Sequence, residues 1–338
     1  MIALPGDLFA RIADICQPFK AGDRFRALPG MQLWVPGGKV NAPAQLLPDV
    51  GEPETDHAAR LAASGVESFA LRIVEPWADD PMWWQWMRDL VQPIWHERGT
   101  PVLPVDVELV YSHGLAPQVI HAPDQESYVW LLSGTTTPPS ATETTHLAPG
   151  EDPMWTGTPS ATWLRMLVGT DSRRVVAEAA ETVAAELDGV FGTSATPYVP
   201  WSENGREVAA YREVATHVAE SVGDPDHPRR LMAHWLKRCS ASGLEPVPAP
   251  RRSRASWGAD DRLHRTTTIL HATVGAELLC AANGHLFAVK DPSLSELIRR
   301  INDAPDITVA ALAQHTPERV VHAILDRLYR IHAMEVKS

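Results

Sequence analysis

The chain reads as an α+β protein: an antiparallel β unit, then a helical region, then a small terminal unit of mixed structure. Three observations predict this. Proline, 29 of 338 residues and concentrated in the first 250, divides that stretch into short elements rather than long helices. Between 105 and 170, apolar runs mostly seven or eight residues long are bounded by Gly, Pro, Ser or Asp, as in the antiparallel strands of a sandwich or barrel. Beyond 173 the apolar period lengthens to that of helices.

The spacing predicts a helix over 56–65 (DHAARLAASG), closed by a glycine, and a strand over 66–74 (VESFALRIV). Val35-Pro36-Gly37-Gly38 has the composition of a turn. Over 80–98, Asp80 is placed as an N-cap and Pro81 as the first helical residue. Trp83, Met87, Leu90, Ile94 and Trp95 then recur at helical spacing, a stripe expected to pack into a core. Strands are expected at 105–111, 127–134, less regularly 145–155, and 162–169. Helices are expected over 173–192, 205–221 and 224–243, the last with Asp226 as cap and Gly243 as stop. Residues 245–260, rich in Pro, Arg, Ser and Ala, read as a linker or connecting loop. In 266–290, Asn283-Gly284 between two apolar runs is the signature of a tight hairpin. Helical stretches follow at 293–303, 307–314 and 317–333, and a hairpin with three helices makes a winged-helix arrangement. The expected units are 1–172, 173–260 and 261–338.

Composition excludes several functions. The net charge of −12, from 30 basic and 42 acidic residues, is poor footing for tracking phosphates. Residues 264–338 carry eight basic and eight acidic side chains, so the terminal unit is expected to contact protein rather than duplex DNA. Cys16, Cys239 and Cys280 are isolated, which supports neither a disulfide framework nor a cysteine zinc site and fits a reducing cytoplasm. The N-terminal stretch has no basic start followed by an apolar run, so neither a signal peptide nor a membrane span is expected. No G-x-S-x-G elbow, P-loop or H-E-x-x-H motif occurs.

The segment YSHGLAPQVIHAPDQESYVWLLSG (111–134) resembles the strand pair that begins the iron site of bacterial Jumonji-type cupin hydroxylases. LAPGE (147–151), Thr158-Pro159-Ser160 and LRMLVG (164–169) follow in the order of that family's later motifs. The resemblance spans about 55–335. It implies a double-stranded β-helix (cupin, or jelly-roll) barrel, a helical dimerisation region over 173–243, a C-terminal winged helix, a homodimer, and a peptide or protein as substrate or partner. The family's chemistry uses two His and one carboxylate on Fe(II), leaving positions for 2-oxoglutarate and oxygen.

Here that site is degenerate. His121 falls at the first ligand position, but Pro123 replaces the Asp two residues later, and proline has no side-chain donor atom. Asp124 is one residue further on and would point to the opposite face of a strand unless a bulge intervenes. Ser160 stands where the second His belongs, and Thr135-Thr136-Thr137-Pro138 occupies the place of the co-substrate cation. An alternative alignment puts Gln118 at the first ligand position. The expectation is therefore no metal in standard form, with Fe(II) and 2-oxoglutarate only if a rewired site forms from His121 with Asp124 or Glu126. His113 and His146 are near enough to join such a site. Glu126, Tyr128 and Trp130 alternate with Ser127, Val129 and Leu131, so one set faces the barrel interior. Tyr111, Tyr128 and Trp130 are candidates for lining a pocket, with Trp155 and Trp163 beside the latter two.

Overall fold

The computed structural model describes residues 3–22, 29–40, 44–101, 105–115, 125–134, 145–148, 160–170, 180, 183, 209–248, 252–291 and 294–337. Helix α1 (Leu8–Lys20) opens the chain. The Asp7 carboxylate accepts the Ala10 N–H at 2.8 Å as its N-cap, and Leu8, Ile12, Ile15 and Cys16 form the buried stripe. Strands β1 (Gly30–Val35) and β2 (Gly38–Val40) pair across the expected turn, Val35 opposite Gly38. Helix α2 (Glu54–Ala63) and strand β3 (Phe69–Val74) follow. Helix α3 (Pro81–Arg98) starts as predicted: Asp80 accepts the N–H groups of Met82 at 2.8 Å and Trp83 at 3.3 Å.

Strands β4 (Val105–His113), β5 (Gln125–Gly134), β6 (Thr145–Leu147) and β7 (Ser160–Gly169) complete a seven-stranded antiparallel sheet in the order β2-β1-β3-β4-β7-β5-β6. Side chains alternate across it. One face presents Leu33, Leu71, Leu109, Leu164 and Trp130 to α1, α2 and α3, forming the main core with Trp84, Met87 and Trp95. The tryptophan stripe is thus core packing, with Trp84 an additional, fully buried member. The opposite face holds Ala70, Val110, Val129, Ala161 and Trp163.

Helices α4 (Ala209–Gly223) and α5 (His227–Ser240) form the helical region, while most of the helix expected over 173–192 lies outside the described residues. Asp226 sits at the N-cap of α5 but makes no side-chain capping bond. Its own N–H donates to Asp224 at 2.9 Å, and Asp224 also pairs with Arg230 at 2.8 Å. The described residues of the stretch expected as a linker are without regular structure but packed: Val247 belongs to the main core and Trp257 to the C-terminal one. Arg252 of that stretch pairs with Glu335 at 2.8 Å.

The C-terminal unit contains β8 (Arg262–Arg265), β9 (Leu270–Val274), β10 (Glu277–Ala282), β11 (His285–Val289), α6 (Ser295–Asp303), β12 (Asp306–Thr308), α7 (Val309–Ala313), α8 (Glu318–Arg330) and β13 (Met334–Lys337). It is built on two three-stranded sheets, β11-β10-β9 and β12-β8-β13, with the three expected helices. The Asn283-Gly284 hairpin forms, both residues at positive φ (50° and 81°). Unusually for a turn, it is buried. Arg88 of α3 donates to Asn283 Oδ1 at 2.6 Å, Asn283 Nδ2 donates to the Ile331 carbonyl at 2.9 Å, and the Gly284 N–H donates to Ser240 Oγ at 3.0 Å. A Cβ on Gly284 would stand 2.5 Å from Pro246 Cα, so this corner, which joins all three parts of the chain, requires glycine.

Candidate functional site

The residues that the sequence singles out separate onto different parts of the sheet. His121, Asp124, Gln118 and Trp155 lie outside the described residues. Tyr111, His113, Glu126, Tyr128, Trp130 and Ser160 are all described, and all belong to the face that α1–α3 cover. Tyr111 is core: it is fully buried, edge-on to Phe69 at 5.3 Å and Phe9 at 5.4 Å, and its hydroxyl has no hydrogen-bond partner among the described residues. Burial pushes that phenol's pKa up, and the carboxylates of Glu54 and Glu52 push it further.

Tyr128 and Trp130 likewise pack into the helix-covered core, Tyr128 edge-on to Trp95 at 6.4 Å. Trp163 opposes Leu131 in the register and faces the other way. Of the expected aromatic pocket of Tyr128, Trp130, Trp155 and Trp163, Trp155 lies outside the described residues, and alternation puts Trp163 on the opposite side of the sheet from Tyr128 and Trp130. It is Ser127, Val129 and Leu131 that face the side away from the helices.

Two small polar clusters occupy the helix-side rim. His113 Nδ1 lies 2.6 Å from Ser160 Oγ, and the His113 ring stacks on Phe69 at 5.9 Å. Register explains the contact, since His113 opposes Ser160 across β4 and β7. At the other end of β5, Glu126 Oε2 accepts from Arg98 at 2.7 Å and meets His146 Nε2 at 2.9 Å, while Oε1 accepts from the Tyr128 hydroxyl at 3.2 Å. Burial alone would raise the Glu126 pKa, but the hydrogen bonds from His146 and Arg98 hold it below the usual carboxylate range. Burial and the neighbouring Glu126 push Tyr128 up to about 12. Both oxygens of Glu126 take part in hydrogen bonds, so a role as base or metal ligand would require displacing these partners. Among the described residues, no group of three His, Cys, Asp or Glu side chains is placed to hold a metal ion. The described candidates thus do not fit the iron site that the resemblance implies.

The face away from α1–α3 carries a different cluster, one that the sequence candidates do not include. Glu108, 2% exposed, is held between the guanidinium groups of Arg72 and Arg165. Gln32 Oε1 lies 3.5 Å from Arg72 Nη1 at the outer end of the row. Arg165 is 5% exposed and its Nη1 has no partner among the described residues. Burial pulls the Arg165 pKa down, opposed by Glu108. Among the described residues of this row, two guanidiniums face one carboxylate, Arg72 being partly exposed, an arrangement suited to an anionic group rather than to a cation. The sequence signal is one charged residue inside each of three apolar strands: FALRIV, VDVELVY and TWLRMLVG.

Comparison with protein-family models finds no match, and neither does comparison with curated proteins. Among solved structures, the chain is similar to the X-ray structure of E. coli ycfD, with a TM-score of 0.48 and 14% identity, over 99% of this chain and 92% of that one. A crystal structure of the Escherichia coli ribosomal oxygenase YcfD gives 0.46 and 14%, over 99% and 91%. The complex of YcfD with cobalt and 2-oxoglutarate gives 0.39 and 16%, over 80% and 79%. No helix among the described residues is long and apolar enough to cross a membrane.

Proposed function

We propose that the chain is a Jumonji-type cupin scaffold that binds, or acts on, a peptide or protein, with an iron/2-oxoglutarate site that does not take its standard form. The observation that carries this reading is the pairing of Ser160 with His113 at 2.6 Å. The residue at the second-histidine position of the motif is engaged with a neighbour on the face that α1–α3 cover, and the opposite face carries the buried Arg72–Glu108–Arg165 row instead. A carboxylate already neutralised by two guanidiniums is a poor partner for a divalent cation. The test is metal analysis after anaerobic reconstitution with Fe(II), alongside 2-oxoglutarate turnover. Substoichiometric metal and no turnover are expected. Stoichiometric iron that is lost on His121→Ala would overturn the reading and establish a rewired, metal-dependent hydroxylase.

The same proposal includes a homodimer formed through the helical region. Its support is the apolar surface there: Val218 and Val222 of α4 and Trp235 of α5 are exposed at 36%, 55% and 47%. Light scattering should give twice the chain mass for the wild type and a monomer for Trp235→Arg. A wild-type monomer would remove this part of the proposal.

A further inference from the structure

The C-terminal unit carries a groove that the reading above does not use. It measures about 600 Å³ and runs between β11 and α8. Phe287, Val289, Leu294, Val320 and Ile324 supply its apolar lining, and Ala323 lies between them on the helix side. Two features distinguish it from an ordinary surface crevice. First, β11 is an edge of its sheet, paired only with β10, so its outward backbone groups have no strand partner among the described residues. Leu286 on this edge is 38% exposed. Second, the groove is bordered by two exposed arginines, Arg319 and Arg327, whose side chains make no salt bridge or hydrogen bond among the described residues. The other arginines of the unit's helices are engaged, Arg299 with Glu296 and Asp303, and Arg300 with the Ala311 carbonyl, apart from the exposed Arg330 one turn beyond Arg327.

We propose that this groove binds an extended, acidic and apolar peptide, which adds as a strand to β11 and places its carboxylates on Arg319 and Arg327. The spacing defines the pattern. Residues 319, 323 and 327 share one face of α8, and eight residues at 1.5 Å set the two arginine positions about 12 Å apart. An extended chain covers about 13 Å in four residues, with positions one, three and five on the same face. A carboxylate at the first and fifth positions therefore meets the two arginines, and an apolar residue at the third meets the small Ala323. Main-chain bonds to β11 supply affinity and the alternate side chains supply specificity. Duplex DNA is disfavoured by the apolar lining and by the unit's balanced charge.

The probe is a labelled synthetic peptide library with Glu fixed at the first and fifth positions, Val at the third and mixed residues between, measured by anisotropy against the full-length chain. Saturable binding is expected, weakened at least about tenfold by Arg319→Glu with Arg327→Glu, whose exposed positions leave the melting temperature unchanged. N-methylation of the peptide at alternate backbone nitrogens should weaken binding in one phase and not in the other. Four results would overturn the proposal: no binding, equal binding of a library with Lys at the fixed positions, indifference to the double charge reversal, or competition by duplex DNA. A concentration-dependent mass abolished by the same reversal would instead assign the groove to a second copy of the chain. None of these results bears on metal binding by the N-terminal unit, so the two readings fail separately.

Discussion

The two faces of the seven-stranded sheet are made by the same strands, yet they hold opposite chemistry. The helix-covered face is continuous hydrocarbon and aromatic surface, where Leu164, Met166 and Trp130 meet Trp84 and Met87. The other face, one residue out of phase, mixes a small apolar patch with a buried ion row, Arg72–Glu108–Arg165. The first arrangement is what folding alone requires, since each fully buried large apolar side chain contributes about 1.5–3 kcal/mol. Buried ions contribute little net stability, because desolvation consumes most of the Coulomb gain. The helix-covered face keeps its ions at the rim, with Glu126, Arg98 and His146, whereas the other face buries a full ion row, which marks it as serving something besides packing.

The largest effect is expected at the centre of the row. Glu108→Gln leaves Arg72 and Arg165 without a counter-charge in a buried place and should lower unfolding free energy by about 4 kcal/mol in urea titration. Adding Arg165→Met should recover part of that loss. Simple additivity of the two substitutions would show that the three charges do not act as a unit.

The adjacent pair Leu164 and Arg165 compares the two faces within a single step of β7. Leu164→Met conserves volume in an apolar core and should cost under about 1.5 kcal/mol. Arg165→Met alone removes one of two partners from Glu108 and should cost about 2 kcal/mol. Equal costs would mean that the ion row is incidental to stability.

Much of this organisation was legible in the strings themselves. Asp80-Pro81, Asn283-Gly284 and Val35-Pro36-Gly37-Gly38 each specify a local geometry through one or two residues, and each forms where expected. The short strands β8, β12 and β13 were not, because three or four residues without alternation carry no period and are ordered only by pairing with distant partners. The candidate site was less legible still. Of the candidates around its motifs, His121, Asp124 and Gln118 lie outside the described residues and register places His113, Glu126 and Ser160 on the packed side of the sheet, whereas Arg72, Glu108 and Arg165 come from three separate strands and meet only in the sheet. Alternation alone left open which set of β5 faced the helices, and the choice was fixed by Trp95 on α3, which packs against Tyr128.

At the end of β3 a buried acid adds a pH dependence to the comparison. Glu75 has positive φ (51°), is 5% exposed, and accepts the Val107 N–H at 3.2 Å while its Oε2 has no partner among the described residues. It borders a cavity of about 270 Å³ that Asp106, Glu245, His234, Lys237 and Arg238 also line. Burial pushes its pKa up to about 8, with the carboxylates of Glu245 and Asp106 adding to the rise. The folded state therefore holds a proton that the unfolded chain releases near 4.5. Its contribution to stability is complete below that value and is lost as pH rises towards 8. Glu75→Gln should remove this decline, so that the variant gains on the wild type by about 3 kcal/mol between pH 5 and pH 8. Parallel stability curves would show that Glu75 is ionised in the folded chain.

The smallest expected effect separates the motif residue from the packed face that holds it. Ser160→Ala removes the 2.6 Å contact to His113 but leaves the imidazole stacked on Phe69 at the sheet rim. His113 is half-buried, so water can replace the serine hydroxyl, and the cost should be about 1 kcal/mol. Ser160→His is the informative partner: the larger ring must compete with His113 for the same space at the end of β7. If the position served an open metal site, the histidine would raise iron affinity on reconstitution while leaving stability intact. If the contact is structural, as the register indicates, Ser160→His should destabilise more than Ser160→Ala and leave metal content unchanged.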